Sequence, residues 1–408
     1  DYVWGDALAD LEAARPHARI INLETSITTS TSPQPKGINY KMHPENVPCL
    51  KAALVDCCVL ANNHVLDWGR EGLLETLAVL QRENILIAGA GLDQAEAEKP
   101  AAIGLPEGRR VLVFGVGAVT SGIPQDWAAG KSEAGVSLLP DLSLASASKL
   151  AERIIATRGP GDLVVVSIHW GSNWGYHVPE EQRAFAHALV DAGACDVLHG
   201  HSSHHPRGLE VYRERLILYG CGDFITDYEG ISGWEQYRGD LSLMYLARCE
   251  GSGALSELTL VPYHTRQFRL QRSRECGLWH ADHPQEWAAG GGVALRRSDD
   301  AIDADQGLIS DQILAGYSPG ENAVTTLALL PASLKRLFAR IDAAGTSDHS
   351  LELALDHWRL RRGERVFPTF PIFTWNSPGS LPRICLSSSG AARRNGTHDF
   401  WATRQRSC

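Results

Sequence analysis

The chain has 408 residues, enough for one large domain or two ordinary ones with a buried core. Its 44% hydrophobic and 21% charged residues are those of a globular protein. A net charge of −10 removes any electrostatic case for a nucleic-acid or anionic-membrane partner, and no run of about eighteen apolar residues offers a membrane span. The same acidity would repel a polyanionic ligand unless a local basic site or a metal intervened. Nine cysteines without a CxxC pair read as free buried thiols in a reducing compartment. The chain opens at Asp1, with neither an initiator Met nor a signal peptide. It reads as starting inside a longer protein, with any anchor or export signal upstream, and as cytoplasmic as it stands.

In chain order, residues 18–22 form a short strand ending in polar residues, and residues 55–60 form an apolar run that stops at Ala61-Asn62-Asn63-His64. Residues 72–81 have helical spacing, with Leu73, Leu77 and Leu80 on one face. Residues 111–116 and 163–168 are fully buried strand types, the second ending at His169. Residues 180–192 are helical again, with Phe185, Leu189 and Val190 apolar and His187 on the same side as a core or boundary residue. Residues 196–198 lead into His199-Gly200-His201, and residues 216–219 end at Gly220-Cys221-Gly222-Asp223. The alternation predicts an α/β protein. Beyond Leu270 this order is lost; a helix over residues 324–341 is the exception, and a reading-frame shift near Arg274 is one account of the loss. Residues 271–408 are left unassigned.

Four strand ends carry Glu, Asn or His, and in α/β folds ligands collect outside the carboxyl ends of strands. The clusters are Asn22-Leu23-Glu24-Thr25, Asn62-Asn63-His64 with Asp67, His169-Trp170-Gly171, and His201-Ser202-Ser203-His204. Divalent metals take such mixtures of imidazole, carboxylate and amide oxygen, and two-metal hydrolases use them to bind phosphate oxygens and to activate water. Each cluster has a plainer reading: a satisfied histidine, an Asn N-cap, a solvated strand end, or glycines at Gly200 and Gly220 that merely make turns. The four in order point to metal binding. Residues 219–229, with Asp223, Asp227, Tyr228 and Glu229, either line the cleft or make turns. Trp170 and Trp174 stack on a substrate or pack internally. Gly89-Ala90-Gly91 is too short for a phosphate loop, and no Gly-x-Ser-x-Gly elbow is present.

These motifs, with Thr28, Gly69 and Tyr219-Gly220-Cys221-Gly222-Asp223-Phe224, closely resemble those of the bacterial capsule-synthesis (CapA, poly-γ-glutamate) family over residues 2–270. That family is similar to the calcineurin-like metallophosphoesterases. The resemblance implies a two-sheet α/β sandwich with helices outside and its first strand missing, in a domain spanning residues 1–270. It implies divalent metal ions, two by analogy and of the manganese, zinc or iron type, held by Glu24, Asn63, His169, His201 and His204. His64 would be the general acid, with Asp67 orienting it. The family's opening strand ends in a Gly-Asp that supplies a ligand; Gly5-Asp6 has the letters but follows too short a run. A missing first strand would leave an unpaired sheet edge. The implied activity is metal-dependent hydrolysis of an anionic polymer or precursor, in association with a membrane-bound synthase. The alternatives are a phosphoesterase of a small phosphorylated substrate and a non-catalytic polymer-binding partner.

Overall fold

Strands as rich in apolar residues as 111–116 and 163–168 carry them on both faces and must be covered on both sides. The computed structural model, which describes residues 1–273 and the backbone of three further strands, meets that demand with two stacked sheets and helices on both outer faces. The chain begins with α1 (Ala7–Ala14), then lays down β1 (Ile20–Glu24), β2 (Cys57–Val59), α2 (Gly69–Arg82) and β3 (Leu86–Ala88). These three strands pair in parallel.

The chain then builds the second sheet from β4 (Ala101–Gly104), β5 (Arg110–Ala118), α3 (Leu144–Thr157), β6 (Leu163–His169), α4 (Glu180–Asp191), β7 (Val197–His201), β8 (Leu209–Tyr212) and β9 (Arg215–Leu218). Its order from β5 runs β5-β6-β7-β9-β8, with β4 also against β5. It returns to the first sheet with β10 (Asp223–Ile225), β11 (Leu241–Cys249), β12 (Leu255–Arg266) and β13 (Arg269–Arg272). The further strands are β14 (Leu295–Arg297), β15 (Ile302–Ala304) and β16 (Thr369–Asn376).

Period-two alternation decides which residues fill which layer. Ile20, Cys57 and Val59 of the first sheet meet Val113, Val165 and Val197 of the second in a core between the sheets. The opposite face of the second sheet, with Val164, Val166 and Leu198, packs on α3 and α4 through Leu150, Ile154, Phe185 and Leu189. The first sheet is covered by α1 and α2 through Leu11, Leu73, Leu77 and Leu80. The expected two-sheet α/β sandwich with helices outside is the observed architecture. Cys49, Cys57, Cys58, Cys195, Cys221 and Cys249 are free thiols, and burial pushes those at 57, 58, 195, 221 and 249 upward in pKa, so they stay protonated fillers. No helix among the described residues is long and apolar enough to cross a membrane.

Two expectations are corrected. The unpaired edge beside β1 is not found: β16 runs parallel to it, pairing Ile20 with Ile372 and Glu24 with Asn376, and lies antiparallel to β11 on its other side. Gly200 makes no turn either. It lies inside β7, where a Cβ would come within 2.5 Å of the Leu218 and Tyr219 carbonyl oxygens, so only glycine lets β7 approach the end of β9. Gly5-Asp6 follows a single 3₁₀ turn, and Asp6 docks on β13, its carboxylate accepting from Arg272 N at 2.9 Å. The helix expected over residues 324–341 and the frame shift expected near Arg274 lie outside the described residues.

The first turn is nonetheless part of the core. Trp4 is wholly buried, donates its indole N–H to Cys49 O at 2.9 Å and lies 6.3 Å from the Phe224 ring. Trp4→Ala should lower the unfolding free energy by about 3–5 kcal/mol through the cavity and the unmatched carbonyl, read as a fall in the urea midpoint.

Candidate functional site

The polar residues that end the strands gather where the two sheets meet. β1 ends with Asn22, Leu23 and Glu24, all buried. Asn22 donates to Glu24 Oε2 at 2.9 Å and accepts from Asn62 Nδ2 at 3.0 Å. Asn62 also donates to Leu23 O, and its own side-chain oxygen accepts from His64 N. The Asn-Asn pair is therefore not a helix cap: Asn62 ties the loop after β2 to β1, and Asn63 is left to reach the cleft.

The His64 ring is held on two sides. Its Nδ1–H donates to Asp67 Oδ2 at 2.6 Å, and the Tyr40 ring stacks on it at 3.9 Å and 14°. Asp67, fully buried, also accepts from Tyr40 N at 2.6 Å and from Lys36 Nζ at 2.7 Å. Burial lowers the His64 pKa against the pull of Asp67, so the ring is neutral at pH 7, with Nδ1 protonated by the hydrogen bond and Nε2 bare. Lys36 donates to Asn63 O at 2.5 Å as well and lies 5.3 Å from the centre of the Trp127 ring.

β6 and β7 pair in parallel with His169 opposite His201 and Ser167 opposite His199. Adjacent parallel strands put such partners on one face, and this face continues that of Val165 and Val197, towards the first sheet. His169 and His201 consequently sit with their Nδ1 atoms 2.7 Å apart, both buried. Burial drives both rings well below the usual histidine pKa, so they are neutral. His169 Nε2 lies 3.1 Å from Asn63 Oδ1 and 3.8 Å from Glu24 Oε1. Burial also raises Glu24, to about 8, against the opposing charge of His204.

His204 is placed differently from its expected partners. Its Nδ1 lies 2.9 Å from Asp223 Oδ2, and Asn173 Nδ2 is 3.3 Å from its Nε2. Burial opposes its charge, but Asp223 and then Glu24 lift it to about 9. Asp223 also accepts from Tyr228 OH at 2.5 Å, so residues 223 and 228 belong to the cleft and not only to a turn. A cavity of about 290 Å³ opens here, bordered by His204, Asp223, Tyr228, Trp174 and Trp234. Trp174 stacks on Trp234 at 4.8 Å in its wall, whereas Trp170 is an internal packing residue against Phe185 and Tyr219. His187, half-buried, stacks on Tyr212 at 3.8 Å and lies 3.1 Å from Glu210, far from this chemistry in role.

Glu24, Asn63, His169 and His201 are thus brought together, His64 and Asp67 adjoin them through Asn63, and His204 joins through its field on Glu24 and His169. The donor types fit a divalent cation. A buried carboxylate faces neutral imidazole nitrogens and an amide oxygen, a set of lone pairs without a compensating positive charge on Glu24 other than His204 and Lys36. Among the described residues no three His, Cys, Asp or Glu side chains converge at coordination distance. His169 turns Nδ1 to His201 and Nε2 to Asn63 and Glu24, and the 2.7 Å between the two Nδ1 atoms is shorter than the roughly 3.3 Å between two nitrogens on one tetrahedral zinc. Lys36, Tyr40, Ser167 and His199 were not singled out from sequence for this site. Lys36 and Tyr40 come from an irregular segment with no periodic signal; His199, beside His201, carried the only visible hint.

Two stacked sheets sharing a histidine-, asparagine- and glutamate-lined cleft at their strand ends define an α/β sandwich with a polar cleft at the sheet junction. The model of the family described as bacterial capsule synthesis protein PGA_cap matches residues 1–228, and the chain belongs to that family. A probable polyglutamine synthesis accessory protein of Mycobacterium tuberculosis is 46% identical over 275 residues, covering 67% of this chain and 72% of that one. The PGA biosynthesis protein CapA of Bacillus subtilis is 31% identical over 229 residues, 56% of each chain. The capsule biosynthesis protein CapA of Bacillus anthracis is 30% identical, covering 55% of this chain and 52% of its own. A solved phosphatase from Mycoplasma pneumoniae aligns over 65% of this chain and 84% of that one at 12% identity, with a TM-score of 0.37, a likeness too slight to carry an argument.

Asp67 is the common acceptor for His64, Tyr40 N and Lys36. Asp67→Ala should therefore lower stability by roughly 3–5 kcal/mol by stranding buried partners, while Lys36→Met should cost less. Paired urea titrations check the order.

Proposed function

We propose that this protein is a metal-dependent hydrolase acting on an anionic polymer or its precursor in capsule synthesis. The observation that carries the reading is Glu24, a buried carboxylate raised to about 8, set among Asn63 and the neutral rings of His169 and His201. A carboxylate removed from water takes up a proton unless a cation joins it. Glu24, Asn63, His169 and His201 would hold that cation, with His204 at the side facing Asp223. When bound, divalent cations of this kind supply Lewis acidity and activate water near neutral pH.

The remaining chemistry belongs to the chain's own side chains. Asp67 holds the proton on His64 Nδ1, and Tyr40 fixes the ring plane. His64 Nε2 would carry a proton to the leaving oxygen, a role that needs the ring protonated in the loaded complex. Lys36, with Nζ 3.5 Å from His64 Nδ1, supplies local positive charge against the acidic surface. The family membership and the printed names of the relatives support a capsule or polyglutamate role, and the name "accessory protein" supports a synthase complex as partner. The cavity beside His204 is the specific observation for a second reading, a phosphoesterase of a small phosphorylated substrate.

Elemental analysis of the purified chain is the first test. The parent should carry manganese, zinc or iron, and His169→Ala and His201→Ala should each lose it while melting as folded proteins. Metal unchanged in both variants would remove the ligand assignment. A parent free of metal after dialysis against each ion would leave only a polymer-binding role. Release of nitrophenol from bis(p-nitrophenyl) phosphate, set beside shortening of polyglutamate by gel filtration, separates the two hydrolase readings.

A further inference from the structure

Behind His201, away from the cleft, lies a short buried chain of polar groups that the proposed chemistry does not use. His201 Nε2 is 3.1 Å from Ser167 Oγ, and Ser167 Oγ is 2.9 Å from His199 Nδ1. All three residues are inaccessible to solvent, and His199 Nε2 is a buried nitrogen with no hydrogen-bond partner. They occupy positions on the inner face of β6 and β7 where the same strands, two residues earlier, carry Val165 and Val197. Polar groups in an apolar layer cost free energy unless they are paired. Packing alone would be served by valine here.

We propose that Ser167 and His199 are positioning residues that let His201 adopt the ring tautomer in which Nδ1 offers its lone pair to the cleft. The inference rests on the cation-binding reading of Glu24, Asn63, His169 and His201. His201 presents Nδ1 towards His169 and Nε2 towards Ser167. A neutral imidazole has one N–H and one lone pair. For Nδ1 to offer its lone pair to a cation, the proton must sit on Nε2 and needs an acceptor behind the ring, which is Ser167 Oγ. The hydroxyl then turns its own proton to His199 Nδ1, which must be bare, so His199 carries its proton on Nε2.

Without a cation, the chain runs the other way. With Asn63 Oδ1 as acceptor, His169 holds its proton on Nε2 and accepts at Nδ1 from His201 Nδ1–H. His201 Nε2 then accepts from Ser167, which accepts from His199 Nδ1–H. Each ring stays neutral in both states, and only the direction of the hydrogen bonds reverses. A hydroxyl donates and accepts with equal ease, and His199 can answer it from either tautomer; an aliphatic pair could serve neither state, and a carboxylate only one. Groups that orient a metal-binding histidine from behind typically alter affinity by roughly ten- to hundredfold when removed.

The test uses the full chain and Mn²⁺ alone, followed by titration calorimetry, with thermal melts as the control for folding. Ser167→Ala and His199→Phe should each weaken Mn²⁺ binding by roughly ten- to hundredfold. His199→Asn, whose amide reaches the place of Nδ1 and can either donate or accept, should recover most of the loss. If both removals bind like the parent while folded, or if His199→Asn is as weak as His199→Phe, the proposal fails. ¹⁵N NMR of the metal-free chain reads the tautomers directly: the parent should show His199 in its Nδ1–H form, and Ser167→Ala, which removes the acceptor of that proton, a mixture. That second readout separates the two claims. A parent that binds no Mn²⁺ overturns the hydrolase reading, whereas a His199 tautomer unchanged in Ser167→Ala overturns this one.

Discussion

The site depends on one registration: β6 and β7 lie side by side in parallel with residue 169 opposite 201 and residue 167 opposite 199. In a parallel pair, facing residues point to the same side of the sheet, so a polar pair on one strand is forced against a polar pair on the next. A slip of one residue would put all four polar side chains among Leu150, Phe185 and Leu189 under the helices. Gly200 enforces the approach of β7 to β9, because any side chain there would strike two carbonyl oxygens. The register that makes an apolar core from Val165 and Val197 thus makes a polar one two residues later.

The other sheet answers from across the interface. Glu24 ends β1, and the loop after β2 is fastened to β1 by Asn62, so carboxylate and Asn63 amide arrive in fixed relation. Neither sheet holds a complete site. The first supplies the negative charge and the His64–Asp67 pair; the second supplies neutral imidazoles. Burial where the sheets meet is what raises Glu24 and lowers His169 and His201 at once. Each shift favours the uncharged form, and each is what burial does to a carboxylate and to an imidazole.

How much of this could be read from the sequence follows from the range of each signal. Strand ends and amphipathic helices are local, and they gave the α/β class, the four polar clusters and the packing faces of α2 and α4, whereas the two-sheet sandwich was implied by the family resemblance. The residues gathered at Glu24, Asn63 and His169 were visible because each follows directly on an apolar run. Lys36 and Tyr40 were not, since they reach His64 from an irregular segment whose path is set by Asp67, a partner about thirty positions on. His199 and Ser167 were hidden by the opposite circumstance: they lie inside apolar strands and read as tolerated polar interruptions until the register is known. The pairing of β1 with β16 joins residues some 350 positions apart, a distance over which no local pattern speaks.

The acidic balance of the chain sets the last constraint. At a net charge of −10, a polyanion approaching from solution meets repulsion at long range, screened beyond about 8–10 Å in physiological salt. Attraction therefore has to be local. Lys36 is half of that answer, but its ammonium is shared between Asp67 and the Asn63 carbonyl, so much of its charge is already spent on holding His64. His204, lifted to about 9 by Asp223, is another positive group, and it too is paired; Arg238, at the cavity, is paired with Asp240. Under the proposed function, an anionic substrate would find little uncompensated positive charge in these side chains. The lone pairs of Asn63, His169 and His201 and the carboxylate of Glu24 make sense together with a cation between them and such a substrate, because one divalent charge would both neutralise Glu24 and attract the anion.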